Sequence, residues 1–104
     1  MDQQTKEEGK TIAIISYITI IGLIIAFIMN NDKKNEFAKF HIGQSLRVWI
    51  LGIANFVLGM LLPSGIAIIS TIISLVVLVF WILGLINAIN LKDKPLPVIG
   101  SIGG

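Results

Sequence analysis

The chain has 104 residues, 55% of them hydrophobic and 13% charged, with a formal charge of +2 and a mean hydropathy of +0.90; a soluble domain carries about 25% charged residues. That composition excludes an ordinary water-soluble domain and predicts one all-α integral membrane domain, leaving no room among these residues for a soluble catalytic unit. The absence of cysteine excludes a disulfide framework, thiolate catalysis and cysteine-ligated metal. Residues 1–10 read as a polar tail in which Asp2, Glu7 and Glu8 mix with Lys6 and Lys10. The next 21 residues, Thr11 to Asn31, carry no charge. Their apolar part, TIAIISYITIIGLIIAFIM over 11–29, is as long as a helix of about 29 Å, against a hydrocarbon core of about 30 Å. It predicts a first span. Its length, the mixed charges before it and the absence of a small-residue cleavage site argue against a removed signal peptide.

After the loop NNDKK, Asn35 is a good N-cap and Glu36 suits the positive end of a helix dipole. A helix therefore starts near residue 36, lies at the interface over about 36–43 and enters the membrane beyond. From Val48 to Leu91 there is again no charge for 44 residues, about twice a spanning length. The run must turn back, and LPSG is its only strong break: Pro63 lacks a backbone donor and Gly65 tolerates positive φ. Two further spans follow, over about 44–62 and 66–90, and the Pro-containing residues 95–104 form an extended interfacial tail. Isoleucine-rich runs also make buried strands, but strands are usually about four to eight residues long and end at turn signals.

Basic residues set the orientation. Lys6 and Lys10 precede the first span, Lys33, Lys34, Lys39 and Arg47 follow it, LPSG has none, and Lys92 and Lys94 close the chain. With three spans the positive-inside rule predicts the N-terminus outside and the C-terminus inside, six basic residues in and two out.

Residues 35–51, NEFAKFHIGQSLRVWIL, contain the only histidine and the only arginine. On a helix Phe37, Phe40, His41, Gln44 and Val48 share one side, and Ala38, Ile42, Leu46 and Trp49 the other, with Trp49 expected at the interface. His41 and Gln44, three apart, present a donor and an acceptor side by side. The tail, whose carbonyls no helix pairs, is the expected recipient, and Phe37, Phe40, His41, Gln44 and Ser45 form a candidate docking edge. The alternative is that His41 is a hydrated interfacial residue. One histidine without carboxylate or cysteine partners makes no metal site by itself.

The combination of ISYITIIGLIIAFI, KNEFAKFHIGQSL, WILGLINAIN and KPLPVIG resembles a family of small bacterial membrane proteins related to the chloroplast inner-envelope import component Tic-twenty and to some magnetosome membrane proteins. The resemblance runs from about Lys10 to Gly100, and its most specific element is F-H-x-x-Q-S, at Phe40, His41, Gln44 and Ser45. It implies a helical membrane fold in the bacterial cytoplasmic membrane and a role in import, organelle biogenesis or complex assembly, without an enzymatic mechanism.

Other residues fit packing. Gly22 with Ala26, Gly52 with Gly59 and Gly84 with Ala88 leave shallow helix faces, and Asn55 and Asn87, like Ser16, Tyr17, Thr19, Ser70, Thr71 and Ser74, can hydrogen-bond between helices. No Asp, Glu, Lys or Arg lies deep in a span, which disfavours a proton-coupled transporter. No catalytic or phosphate-binding motif is present, so neither a cofactor nor a small-molecule substrate is expected. Lys33, Lys34, Lys39 and Arg47 form a basic band suited to lipid headgroups, a better reading than nucleic acid. The functions that remain are a structural or assembly subunit, packed on itself or on other membrane-protein subunits; an oligomeric pore for polypeptide or solutes; and a holin-like lesion former.

Overall fold

The computed structural model describes residues 1–61 and 67–103, and over these the chain is all-helical: α1 (Gln3–Ile18), α2 (Ile20–Lys33), α3 (Glu36–Leu61) and α4 (Ala67–Ile89). The LPSG turn and the span ends expected at 62 and 66 lie outside the described residues. α3 and α4 are long and apolar enough to cross a membrane.

The first expected span is corrected in two ways. Helix starts at Gln3 rather than after a ten-residue tail, because Asp2 is its N-cap and its carboxylate accepts the Thr5 N–H at 2.8 Å. Hydrogen bonding from the Thr5 side chain and then its backbone holds the Asp2 carboxyl below its ordinary value. Then the helix expected over 11–29 breaks at Thr19, whose backbone is extended (φ −148°, ψ 171°). Thr19 ends α1 and caps α2: its hydroxyl accepts the Gly22 N–H at 3.0 Å. A side chain at Gly22 would strike the Ile15 carbonyl, so the close turn depends on that glycine.

The turn is sharp enough to bring the far end of α2 back beside the start of α1. Asn35 documents the fold-back. Its amide donates to the Thr5 carbonyl at 2.9 Å while its side-chain oxygen accepts the Ala38 N–H at 3.0 Å, capping α3. Asn30 fixes the same corner from α2, exchanging hydrogen bonds of 2.9 and 3.1 Å with the Asn35 backbone. α1 and α2 are therefore an antiparallel hairpin, and α3 runs parallel to α1.

α4 descends along α3 and ends in a Schellman motif: Lys92 N–H reaches Asn87 O at 2.8 Å and Leu91 N–H reaches Ala88 O at 3.3 Å, with Leu91 at φ 58°. Immediately after it, Asp93 pairs with Lys6 at 3.5 Å. The ion pair brings the beginning of the chain and the end of α4 together at one end of the molecule. All eight basic residues lie in the half of the molecule where the chain ends meet, Arg47 being the highest of them.

Two apolar clusters hold this half together. Ile12, Leu23, Ala26, Ala38 and Ile42 join α1, α2 and α3. Ala13, Tyr17, Phe37 and Ala88 join α1, α3 and α4. The start of α3 is enclosed by the protein, with Phe37 and Ala38 fully buried. Above the hairpin turn α3 and α4 continue as a pair, and only 6% of the most apolar stretch of α4 is buried inside the protein.

Candidate functional site: the polar cluster around His41

Three segments meet at His41. The Tyr17 hydroxyl lies 2.8 Å from Nδ1, and Nε2 lies 2.8 Å from the Lys92 carbonyl at the end of α4. A carbonyl only accepts, so Nε2 carries the proton and Nδ1 accepts from the tyrosine. Phe37, Phe40 and Tyr17 surround the imidazole edge-on, with ring centroids at 4.7, 5.1 and 5.6 Å. His41 is 1% exposed, and both of its nitrogens are engaged. Chemically the arrangement is a latch between α1, α3 and the α4 terminus.

One turn on, Gln44 holds the tail with both ends of its amide. Its oxygen accepts the Leu96 N–H and its nitrogen donates to the Gly100 carbonyl, each at 2.9 Å. The tail forms turns rather than a fully extended strand, with Ile99 N–H to Pro97 O at 2.7 Å and Gly100 N–H to Leu96 O at 3.0 Å. Leu96 is buried beneath it.

The expected docking edge divides. His41 meets the Lys92 carbonyl and Gln44 the tail, whereas Ser45, fully buried, turns the other way and donates to the Ser16 carbonyl on α1. Phe37 packs into the core and Phe40 lies half-buried against His41.

The Ser45 bond belongs to a second set of contacts, around the hairpin turn. The last carbonyls of α1 lack helical partners because Thr19 breaks the ladder. Ser45 Oγ caps Ser16 O, and the Trp81 indole N–H, from α4, caps Tyr17 O. Ser16 in turn donates to the Ala13 carbonyl at 2.6 Å. Residue pattern alone identifies Ser16 and Tyr17 only as mild helix-packing groups; their roles come from segments 24 to 64 positions away. Trp49 stands beside this turn, and among the described residues its indole nitrogen is the one buried side-chain polar atom without a partner.

The packing residues are distributed over both halves. Gly22 and Ala26 are buried in the hairpin, and Gly84 takes the Tyr17 ring, which a side chain there would overlap. Ala88 packs beside Tyr17, and Asn87 is half-buried. Farther up, Gly52 faces Val77 and Gly59 faces Ser70. Asn55 links the helices by donating to Ser74 Oγ at 2.8 Å and to Ser70 O at 3.2 Å, and by accepting from Ser70 Oγ at 3.2 Å. Of the basic band, Lys33, Lys34 and Lys39 are exposed at the charged end, while Arg47 is half-buried and donates from Nε to the Ile102 carbonyl at 2.8 Å. Comparison of the chain with protein-family models, with curated proteins and with solved structures found no match.

Proposed function

We propose that this chain is a non-enzymatic membrane subunit that crosses the bilayer twice, with α3 and α4, and inserts α1 and α2 as a re-entrant hairpin from the side where its ends lie. The observation that carries the reading is the capped turn at Thr19. Backbone groups in hydrocarbon have no water to satisfy them, and irregular backbone survives there only when buried in protein. Here Thr19 in the turn itself, Ser45 from α3 and Trp81 from α4 supply the missing partners. From Thr19 to Met29 a helix rises about 15 Å, half of a hydrocarbon core of about 30 Å. The hairpin then replaces the third span, and the eight basic residues share one side. The positive-inside rule makes that side cytoplasmic. The resemblance to the import-related family supports the bacterial cytoplasmic membrane and a role in assembly.

Outward-facing Ile68, Ile72 and Leu75 on α4 are more than half exposed, a surface that lipid, a second copy or another membrane protein would cover. A pore is the weaker reading, because Asn55, Ser70 and Ser74 bond to one another rather than standing free to line a water path. Reconstituted vesicles and gentle-detergent purification test the choice. A subunit gives a fixed-stoichiometry complex and no solute flux above empty vesicles. Flux that rises with protein content overturns it in favour of a pore.

A further inference from the structure

Arg47 is placed for a ligand. Its Nε is held by the Ile102 carbonyl of the tail at 2.8 Å, and its Nη1 lies 3.1 Å from where a Cβ on Gly43 would sit, so the guanidinium folds down over the one position of this helix face that has no side chain. Two clefts meet there and share Gly43 and Leu46. The first, about 610 Å³, lies between α2 and α3 and is edged by Lys34 and Lys39 above Phe27 and Ile42. The second, about 520 Å³, lies between α3 and the tail and has an apolar floor of Ile50, Leu51 and Ala54. Lys39, Gly43 and Arg47 follow one another at four-residue intervals, so they stand on one stripe of α3. Among the described residues no carboxylate pairs with Lys34, Lys39 or Arg47; Lys6 and Asp93 form the ion pair of this half. Glu36 also lines the first cleft, beside its basic edge.

We infer that this stripe is a binding site for one anionic phospholipid, its phosphate between Arg47 and Lys39 and one acyl chain along Leu46, Ile50 and Ala54. The inference rests on the membrane reading above. The charge pattern selects the ligand: a guanidinium with Nε already anchored presents its terminal N–H groups in a fixed plane, which suits two oxygens of one phosphate. The apolar floor selects a lipid over a free phosphate compound, since it runs away from the charged end in the direction an acyl chain takes. Lys33 lines neither cleft.

Binding to the full chain in neutral detergent, counted by native mass spectrometry, tests the site with dioleoyl phosphatidylglycerol, dioleoyl phosphatidylcholine and glycerol phosphate as probes. One phosphatidylglycerol is retained, about tenfold more tightly than phosphatidylcholine, as one charge-assisted pair contributes. Arg47→Gln removes the preference, Ala54→Trp weakens binding by filling the floor, and Lys94→Gln changes nothing. If Arg47→Gln does not fold, Lys39→Gln, at an exposed side chain without hydrogen bonds, reads the same preference and weakens it. Equal weakening by Lys94→Gln and Lys39→Gln means diffuse attraction and overturns the site. Glycerol phosphate bound as tightly as phosphatidylglycerol overturns the lipid assignment. Carbonate extraction of the same cells separates the two readings: a chain washed out of membranes removes the membrane reading itself, whereas a retained chain without lipid preference removes only this site.

Discussion

At the end holding the chain termini, Tyr17, Phe37 and His41 are each 1% exposed or less; at the other end of the same two long helices Phe56, Met60 and Leu61 are 69–77% exposed. The first end has a hairpin, two helices and a tail to pack, and buries its polar groups in a bonded network. The second has only α3 against α4, with Asn55, Ser70 and Ser74 as its polar link. The contrast teaches where the chain specifies its own structure and where it leaves a surface for its surroundings. The charged residues lie at the first end, so the less apolar end is the one that packs, and hydrophobicity alone does not decide which does.

The contrast breaks most visibly at Tyr17. Tyr17→Ala empties a fully buried aromatic site and strands His41 Nδ1, and is expected to cost about 3–5 kcal/mol, whereas Phe56→Ala stays within about 0.5 kcal/mol; denaturant unfolding in mild detergent measures both. A smaller difference is expected between two glycines. Gly84→Ala drives a methyl into the Tyr17 ring and should cost about 1–3 kcal/mol. Gly52→Ala meets Val77 at an ordinary 3.5 Å and should cost nothing measurable in the same assay.

The tail sharpens the comparison further. Gln44→Ala leaves the Leu96 N–H and the Gly100 carbonyl unpaired, for about 2 kcal/mol. Combined with truncation after Lys94 it should be non-additive, with a coupling of about 0.5–3 kcal/mol; additivity would mean that the glutamine does not hold the tail. The smallest effect is at Asp2. Its carboxyl is held below the ordinary value by hydrogen bonding from the Thr5 side chain and backbone, so the cap is fully formed above the unfolded carboxylate pKa and is lost as pH falls through the folded one. Amide exchange at Thr5 should accelerate over that acidic window, and Asp2→Ala should abolish the pH dependence.

How much of this was legible depended on the range of the signal. The two long helices followed from an uncharged run too long for one crossing, and the start of α3 from Asn35 and Glu36, all local features. His41 and Gln44 stood out by their spacing and rarity. The break at Thr19 did not, because hydropathy is unbroken across it and a threonine three residues before a glycine is unremarkable within an apolar run. Its causes lie elsewhere in the chain, in Ser45 and Trp81, and composition carries no trace of such distant capping. The same blindness hid Tyr17 as the partner of His41.

Side-specific labelling of single cysteines tests the hairpin most directly. With Gln4→Cys, Asn31→Cys and Ala67→Cys in sealed vesicles, positions 4 and 31 should react from the same face and position 67 from the opposite one. Labelling of positions 4 and 31 from opposite faces would mean that residues 11–29 cross the membrane, and would contradict the re-entrant hairpin.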